Sequence, residues 1–332
     1  MPLNEFQLIK HYFTRQAVQA SVVKSVGDDC AILAPHPHRQ LVMSMDTMVE
    51  GRHFPVDANP YDIGTRALCT SLSDLAAMGA RPLWFTLGLT LPDASPEWLA
   101  ECSRGLFDVA TPFECDLIGG DTTKGSLTLS VQVHGEVEPD RCLRRDHACV
   151  GDTVFVTGTL GDGAAALSML QHTETATVFD QASRHYLHQR FYAPIPQIVA
   201  GECLAPYAHA AIDISDGLLA DAQHIAEASH VLIHIDVEQL PIAPALSSVS
   251  YEQQLQWALT GGDDYQLLFT VPEGALASVN SLIDAKIIQA TRIGCVCDTT
   301  SRGPQASAGV HCFLNGEPYN PGNDKGFQHF AS

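Results

Sequence analysis

Apolar positions along the 332-residue chain follow two periods, and the switches between them mark its elements. Residues 39–48, RQLVMSMDTM, read as a strand that ends in polar residues, and 82–92, PLWFTLGLTLP, as a buried strand. Between them, PYDIGTRALCTSLSDLAAMGARP (60–82) reads as a helix. Leu68, Leu72 and Leu75 recur at i, i+4 and i+7, Gly79 supplies a stop, and Pro82 lies beyond it. The opposite stripe, Thr70, Ser71 and Asp74, is small and polar, a face that another group can approach closely. A helix at EWLAECSRGLFDVATPF (97–113) and a half-buried strand at LTLSVQVHGEVEP (127–139) complete the first half.

After about residue 150 the texture shifts to that of an α/β layer. GDTVFVTGTLGDGAAALSML (151–170) reads as strand, Gly-rich turn and Ala-rich helix. AAIDISDGLLADAQHIAEAS (210–229) is a second strand-to-helix junction, and LTGGDDYQLLFTV (259–271) a turn into a strand. The boundary is placed near Val150, giving domains 1–150 and 151–332, as the chain length alone suggests. The end, NPGNDKGFQHFAS (320–332), reads as a surface tail with two aromatics.

Charge narrows the partners. Eighteen Lys and Arg stand against 38 Asp and Glu, a net of −20, which repels nucleic acid and anionic membranes and points to cations, or to anions brought in by cations. No apolar run is long enough to span a bilayer, and Glu5 stands where a secretory signal would need a basic start, so the expected location is cytoplasmic. Ten cysteines without C-x-x-C spacing read as buried free thiols of a reducing compartment. Cys295 and Cys297 alternate along a strand, TRIGCVCD, and share one face.

Six places repeat one grammar, an apolar run that stops at Asp beside Gly or a small polar residue: VGDD, SMD, SLSD, IGGDTT, DISDG and TGGDD. Any one of them is explained by a cap or a turn. If they converge, each pair of carboxylates about 5 Å apart repels by roughly 3 kcal/mol at an effective dielectric near 20, so such a cluster requires cations. Oxygen donors without a His/Cys shell select hard ions, and Mg²⁺ combines a few carboxylates with substrate phosphates. The pattern points to a Mg²⁺-nucleotide site. The usual phosphate devices are missing: no Lys follows a Gly, which removes the P-loop, and no protein-kinase H-R-D or D-F-G set occurs. Gly119 and Gly120 permit close backbone approach, Ser215, Asp216 and Gly217 offer N–H groups at a helix N-terminus, and Arg145 is a charge partner for phosphate.

In order, VGDDCAIL, SMDTMVEGRHF, SLSDLAAMGARPLW, LIGGDTTKG, GDTVFVTGTLGDGAAAL, FYAPIP, DISDGLLADA, GGDDYQLLF and GFQHF resemble the thiamine-monophosphate kinase family over nearly the whole chain. Single motifs are shared with the wider aminoimidazole-ribonucleotide synthetase-like superfamily. The resemblance implies a two-domain PurM-like α/β (α+β) fold, with an N-terminal sheet domain that joins its twin in a homodimer, a C-terminal α/β domain, and ATP near the dimer and domain junction. It implies metal ligands at Asp29, Asp46, Asp74, Asp121, Asp213 and Asp216, assisted by Ser44 and the Met45 carbonyl. ATP contacts carry over to Asp29, Gly120, Asp121, Arg145 and Ser215, and substrate contacts to His53, Asp263 and Phe327. Two departures stand out: GGDDYQ replaces the family's GGEDYE, which shortens Asp263 and neutralises Gln266, and Arg104 stands where an aromatic is expected.

The implied reaction is ATP-dependent phosphorylation of thiamine monophosphate to thiamine diphosphate, with several Mg²⁺ ions as cofactors, ATP as co-substrate and K⁺ as a further candidate ion. The acceptor phosphate is largely ionised near neutral pH, so direct in-line transfer needs no general base. The alternatives are another ATP-dependent synthetase of the same fold and a non-catalytic divalent-cation binder.

Overall fold

A computed structural model describes residues 4–299 and 307–322. The chain forms two compact units, one made of residues up to Leu75 with Ala80–Asp140, the other of Ala76–Gly79 with the chain from Arg141 onward.

The first unit is built on strands β1 (Val22–Lys24), β2 (Ile32–Leu33), β3 (Gln40–Val49), β4 (Arg81–Leu91), β5 (Asp116–Lys124) and β6 (Thr128–Val137). Four of them make a sheet in the order β3-β6-β4-β5, antiparallel except for β4 with β5. The helices Pro60–Ala77 and Pro96–Ala110 supply its apolar cover, with Leu68, Leu72, Leu99 and Leu106 fully buried. Each such leucine contributes roughly 1.5–3 kcal/mol of burial. The helix stripe read from the sequence is therefore the core face. Ser95 caps the second helix by accepting the Trp98 N–H at 3.3 Å, with Pro96 in the first turn where its missing N–H does no harm. The small ribbon β1-β2 lies on β4 and β5: Val22 and Leu33 pack against Leu83, Trp84 and Ile118.

The segment LIGGDTTKG, read from the sequence as a turn-like stop, lies mostly within β5. Its glycines hid the strand because they lack the side chains on which strand propensity rests. Gly120 is required by the pairing itself: at φ +151° a Cβ would lie 1.9 Å from the Leu87 carbonyl oxygen of β4.

The second unit carries β7 (Thr153–Thr157), β8 (Ala210–Asp213), β9 (Leu232–Asp236), β10 (Leu267–Val271), β11 (Ala290–Cys297), β12 (Gly309–Leu314) and β13 (Glu317–Tyr319). They form one sheet in the order β13-β12-β9-β11-β7-β10-β8, in which only β12 with β9 is parallel. Strand–helix alternation here yields a largely antiparallel sheet. One face, with Val154, Val156, Ile212, Ile233, Ile235, Leu268 and Val296, shares a core with the helices Leu218–Ser229 and Tyr251–Thr260 through Leu218, Ile225, Leu255 and Leu259. No helix among the described residues is long and apolar enough to cross a membrane.

Candidate active site

Strand alternation assigns the faces of β3. Ser44 and Asp46 lie opposite the buried Val133 and Val131 of β6, whereas Leu41, Met43 and Met45 are 45%, 66% and 61% exposed. From the Pro60–Ala77 helix, Ser71 and Asp74 meet the inward pair. The Ser44 hydroxyl donates to Asp74 Oδ2, and the Ser71 side chain hydrogen-bonds Asp46. Burial, and then the Asp74 carboxylate beside it, push Asp46 up to about 6, against the lowering effect of Ser71. Two like-charged carboxylates backed by hydroxyls, all oxygen donors with neither thiol nor imidazole among them, fit a hard divalent cation such as Mg²⁺. The cation removes the repulsion that raises Asp46. Met45 offers such an ion only its carbonyl, since its side chain lies on the other face.

The remaining carboxylates of this unit sit apart from that pair. Asp121 is exposed on β5, in register with Gly88 of β4. β5 and β3 are opposite edges of the sheet, three strand spacings or roughly 14 Å apart. Asp46 shares the inward row of Val131, Leu87 and Gly120, whereas Asp121 falls in the row of Gly88, Ser130 and Thr47 and lies on the other face of the sheet. Asp29 lies in the ribbon loop, which Ser25 fastens to β5 through the Leu117 carbonyl at 3.1 Å. Its neighbour Asp28 is already engaged. The Asp29 N–H at 3.0 Å and Lys24 at 3.2 Å hold Asp28 below the usual carboxylate range, and Asp29 remains the exposed carboxylate. His53 accepts the Val49 N–H on Nδ1 at 3.0 Å, so the neutral ring carries its proton on Nε2.

The second unit assembles another group. Asp213 ends β8 and is 4% exposed; Ser215 and Asp216 follow it. The 214–215 backbone is laced to 263–266: Ser215 O accepts from the Asp263 N–H (2.9 Å) and Ile214 O from the Tyr265 N–H (2.8 Å). Asp263 stands at φ +68°, with Oδ1 accepting the Tyr265 hydroxyl at 3.0 Å. The structure therefore brings Asp213, Ser215, Asp216 and Asp263 to one corner. Gly120 has no Cβ to obstruct approach, although its strand partner is what demands glycine.

One expectation is corrected. The N–H groups of Ser215, Asp216 and Gly217 are not free for phosphate: all three donate to Asp221 Oδ2 at 3.1 Å. Asp221 is 2% exposed and is pushed up to about 7 by burial and then by Asp216, against the lowering effect of those three N–H groups. The Gly-rich turn before the Asp162–Gln171 helix is closed in the same way. Gly161 and Gly163 donate to the Asp264 carboxylate at 2.7 and 2.9 Å, and burial, then Asp162, raise Asp264 to about 7. Asp162 is itself buried, held by Thr159 and Tyr186 at 2.6 Å and by Arg190 at 3.2 Å. Sequence reasoning missed Asp221 and Asp264, and placed Ser71 on the polar stripe without its hydrogen bond to Asp46. The available signal was the last aspartate in DISDGLLAD, in the first turn of the helix Leu218–Ser229, and the second in GGDD.

The departures have structural settings. Gln266 is 1% exposed, and its amide lies 2.9 Å from the Thr157 hydroxyl, so it is a buried joint rather than a lost surface charge. Arg104 lies over the Tyr61 ring at 4.0 Å and pairs with Glu101 and with Asp108 (3.7 Å); an aromatic is thus present beneath the guanidinium. Arg145 is exposed and has no ion pair among the described residues, while its neighbour Arg144 is held by Asp146. Phe327 and most of the tail lie outside the described residues. Of the cysteines, Cys69, Cys102, Cys115 and Cys312 are buried as expected, but Cys30 and Cys149 are exposed and the other four half-buried.

This two-domain fold defines a class. Residues 27–137 match the AIR synthase related protein, N-terminal domain, and 150–305 the AIR synthase related protein, C-terminal domain, so the protein has the PurM-like α/β architecture. Within that class the chain is 42% identical to the thiamine-monophosphate kinase of Escherichia coli (strain K12), with all of both chains covered. It is 34% identical to that of Aquifex aeolicus over 99% of this chain and 98% of the relative. Among solved structures, the thiamine-monophosphate kinase from Stenotrophomonas maltophilia K279a superposes with a TM-score of 0.82 at 42% identity, covering 91% of this chain and 93% of that one. A structure described as AaThiL complexed with AMPPCP and TMP superposes with a TM-score of 0.75 at 33% identity, covering 92% of each chain. The chain belongs to the thiamine-monophosphate kinase family and is an enzyme.

Proposed function

We propose that this enzyme transfers the γ-phosphoryl group of ATP directly, in line, to the phosphate of thiamine monophosphate, forming thiamine diphosphate and ADP. The relatives' name and the neighbour holding AMPPCP and TMP support the substrate pair. The Asp46–Asp74 pair, facing inward with hydroxyl support and a raised Asp46, is the observation in this chain that carries the reading.

Asp46, Asp74 and Ser44 would hold Mg²⁺ together in the first unit, Asp29 and Asp121 would hold it elsewhere in that unit, and Asp213 and Asp216 in the second. Bound Mg²⁺ supplies charge neutralisation for two phosphate groups that otherwise repel and for the transferring group. The chain's own groups position the partners. The Nε2–H of His53 is a donor for the acceptor phosphate, and the exposed Arg145 guanidinium a bidentate partner for nucleotide phosphate. Asp263, fixed by Tyr265 and the Ser215 carbonyl, presents a carboxylate for the thiamine amine; it is one methylene shorter than the family Glu, so a water completes the contact. No general base is assigned because the nucleophilic phosphate oxygen is already ionised. A homodimer fits the exposed Leu41, Met43 and Met45 on the edge strand β3, and a cytoplasmic location fits the reducing chemistry of the cysteines.

The test is chromatographic: protein, Mg²⁺, ATP and thiamine monophosphate, with free thiamine and EDTA as controls. Thiamine diphosphate formed only from the monophosphate and only with metal is the expected result. Metal-dependent ADP formation without thiamine diphosphate, or turnover of free thiamine, would overturn the assignment.

A further inference from the structure

We propose that His234, Cys295 and Cys297 form a binding site for a thiophilic divalent cation, Zn²⁺ by its chemistry, separate from the aspartate sites. Cys295 is the cross-strand partner of His234 on the adjacent strands β11 and β9, and Cys297 follows on the same side. Ile233, Ile235 and Val296, which alternate with them, belong to the helix-covered core, so the three ligands lie on the other face of the sheet. Their donor atoms all lie within 4.8 Å of one another, and all three residues are half-buried.

The spacing suits the ion. Two Zn–S bonds of about 2.3 Å at a tetrahedral angle place the sulfurs about 3.8 Å apart. The Cys295 and Cys297 sulfurs are 3.7 Å apart, too far for a disulfide and already at the ligating separation. The imidazole is also held. His234 Nε2 meets Asp236 Oδ1 at 2.9 Å, and its ring stacks on Phe313 with centroids 4.0 Å apart. A ring that donates Nε2–H to a carboxylate keeps its lone pair on Nδ1, the arrangement by which a carboxylate orients a metal-binding histidine. Three ligands leave a fourth position for water.

Two thiols and an imidazole select Zn²⁺ over Mg²⁺ or K⁺, which take oxygen ligands. Burial, and then Cys297 and Asp236, push the Cys295 thiol up to about 11, so the ion must displace its proton to solvent. A second His/Cys/carboxylate group among the described residues, Cys149, Asp152 and His209, is a weaker candidate. Its carboxylate already accepts from the Cys149 N–H at 2.9 Å and the Thr270 hydroxyl at 3.0 Å, and meets His209 Nδ1 at 3.0 Å.

The experiment uses reduced, chelator-stripped full-length protein in excess Mg²⁺, titrated with Co²⁺ and then with Zn²⁺. A thiolate-to-cobalt charge-transfer band that saturates at one ion per chain and is bleached by Zn²⁺ is expected. It should be lost in Cys295→Ser/Cys297→Ser and unchanged in Cys149→Ser. Asp236→Asn, which keeps all three ligands, should weaken Zn²⁺ by about tenfold or more. Absence of the band in folded protein, or its survival in the double variant, would overturn the proposal. If the double variant does not fold, His234→Asn decides: Zn²⁺ affinity equal to that of the parent refutes the site.

Discussion

The pair at Asp46 makes metal affinity depend on pH in a way that can be worked out beforehand. A carboxylate raised to about 6 must lose its proton before it can ligate a cation. Between about pH 7 and about pH 5 its ionised fraction falls by roughly a factor of ten, and apparent Mn²⁺ or Mg²⁺ affinity at this end of the site should fall by the same factor. The assay is the electron paramagnetic resonance signal of free Mn²⁺ during titration, without nucleotide, at fixed ionic strength. Ser71 tests the cause. Its hydrogen bond lowers Asp46, so Ser71→Ala should raise the midpoint by about 1–2 pH units, the equivalent of one hydrogen bond to a charged group. Stability without the cation runs the opposite way with pH. Asp46 is raised above its unfolded value, so its contribution is fully present below about pH 4 and is lost as pH rises through about 6, and a divalent cation should restore it. Affinity that stays flat from about pH 7.5 to about pH 5, or a midpoint that falls in Ser71→Ala, would refute the account.

Other perturbations separate scaffold from chemistry. Asp221→Ala leaves the buried Gly217 N–H without an acceptor and exposes those of Ser215 and Asp216 to water, so about 2–4 kcal/mol should be lost, read as a lower Tm. Gly120→Ala forces a Cβ against the Leu87 carbonyl, and thermal unfolding should show a loss of about 3 kcal/mol or more, or no soluble protein. Asp121→Asn, at an exposed position, should leave Tm unchanged while abolishing formation of thiamine diphosphate in the chromatographic assay. Met43→Lys/Met45→Lys should convert the proposed dimer to monomer in sedimentation velocity, since both side chains are exposed on the face of β3 opposite Ser44 and Asp46.

How much of this was legible in the sequence depends on the range of the interaction concerned. The leucine stripe of 60–77 is a local periodicity and survives in the structure, with Ser71 and Asp74 on the predicted polar stripe; 39–48 was legible as a strand, but not that its Leu41, Met43 and Met45 face outward. That stripe is small because β3 brings Ser44 and Asp46 to it. The strand at 116–124 was hidden because Gly119 and Gly120 have no side chains with which to show a period, and the contact that requires Gly120 comes from Leu87, more than thirty residues away. The two capping carboxylates failed in the same way. Asp264 closes the turn at Gly161 and Gly163 from about a hundred residues downstream, so only the folded sheet reveals that these N–H groups are engaged.

The consequence for phosphate recognition runs against the simplest view of a Gly-rich, Asp-rich chain. Both candidate anion-binding helix starts in the second unit are filled by the protein's own carboxylates, which removes backbone N–H groups as the main phosphate ligands there. On the proposed function, anion binding then falls to cations held by Asp29, Asp46, Asp74, Asp121, Asp213 and Asp216, and to Arg145. A chain of net charge −20 can work this way because its carboxylates act on the ions rather than on the substrates. β3 concentrates the requirement: its inward positions, Ser44 and Asp46, are the proposed metal ligands, and its outward positions, Leu41, Met43 and Met45, form an exposed apolar face. A one-residue slip of β3 against β6 would turn the methionines toward Asp74 and expose Asp46. Register in this strand therefore governs both properties, and a variant that loosens the outward face should also weaken divalent-cation affinity.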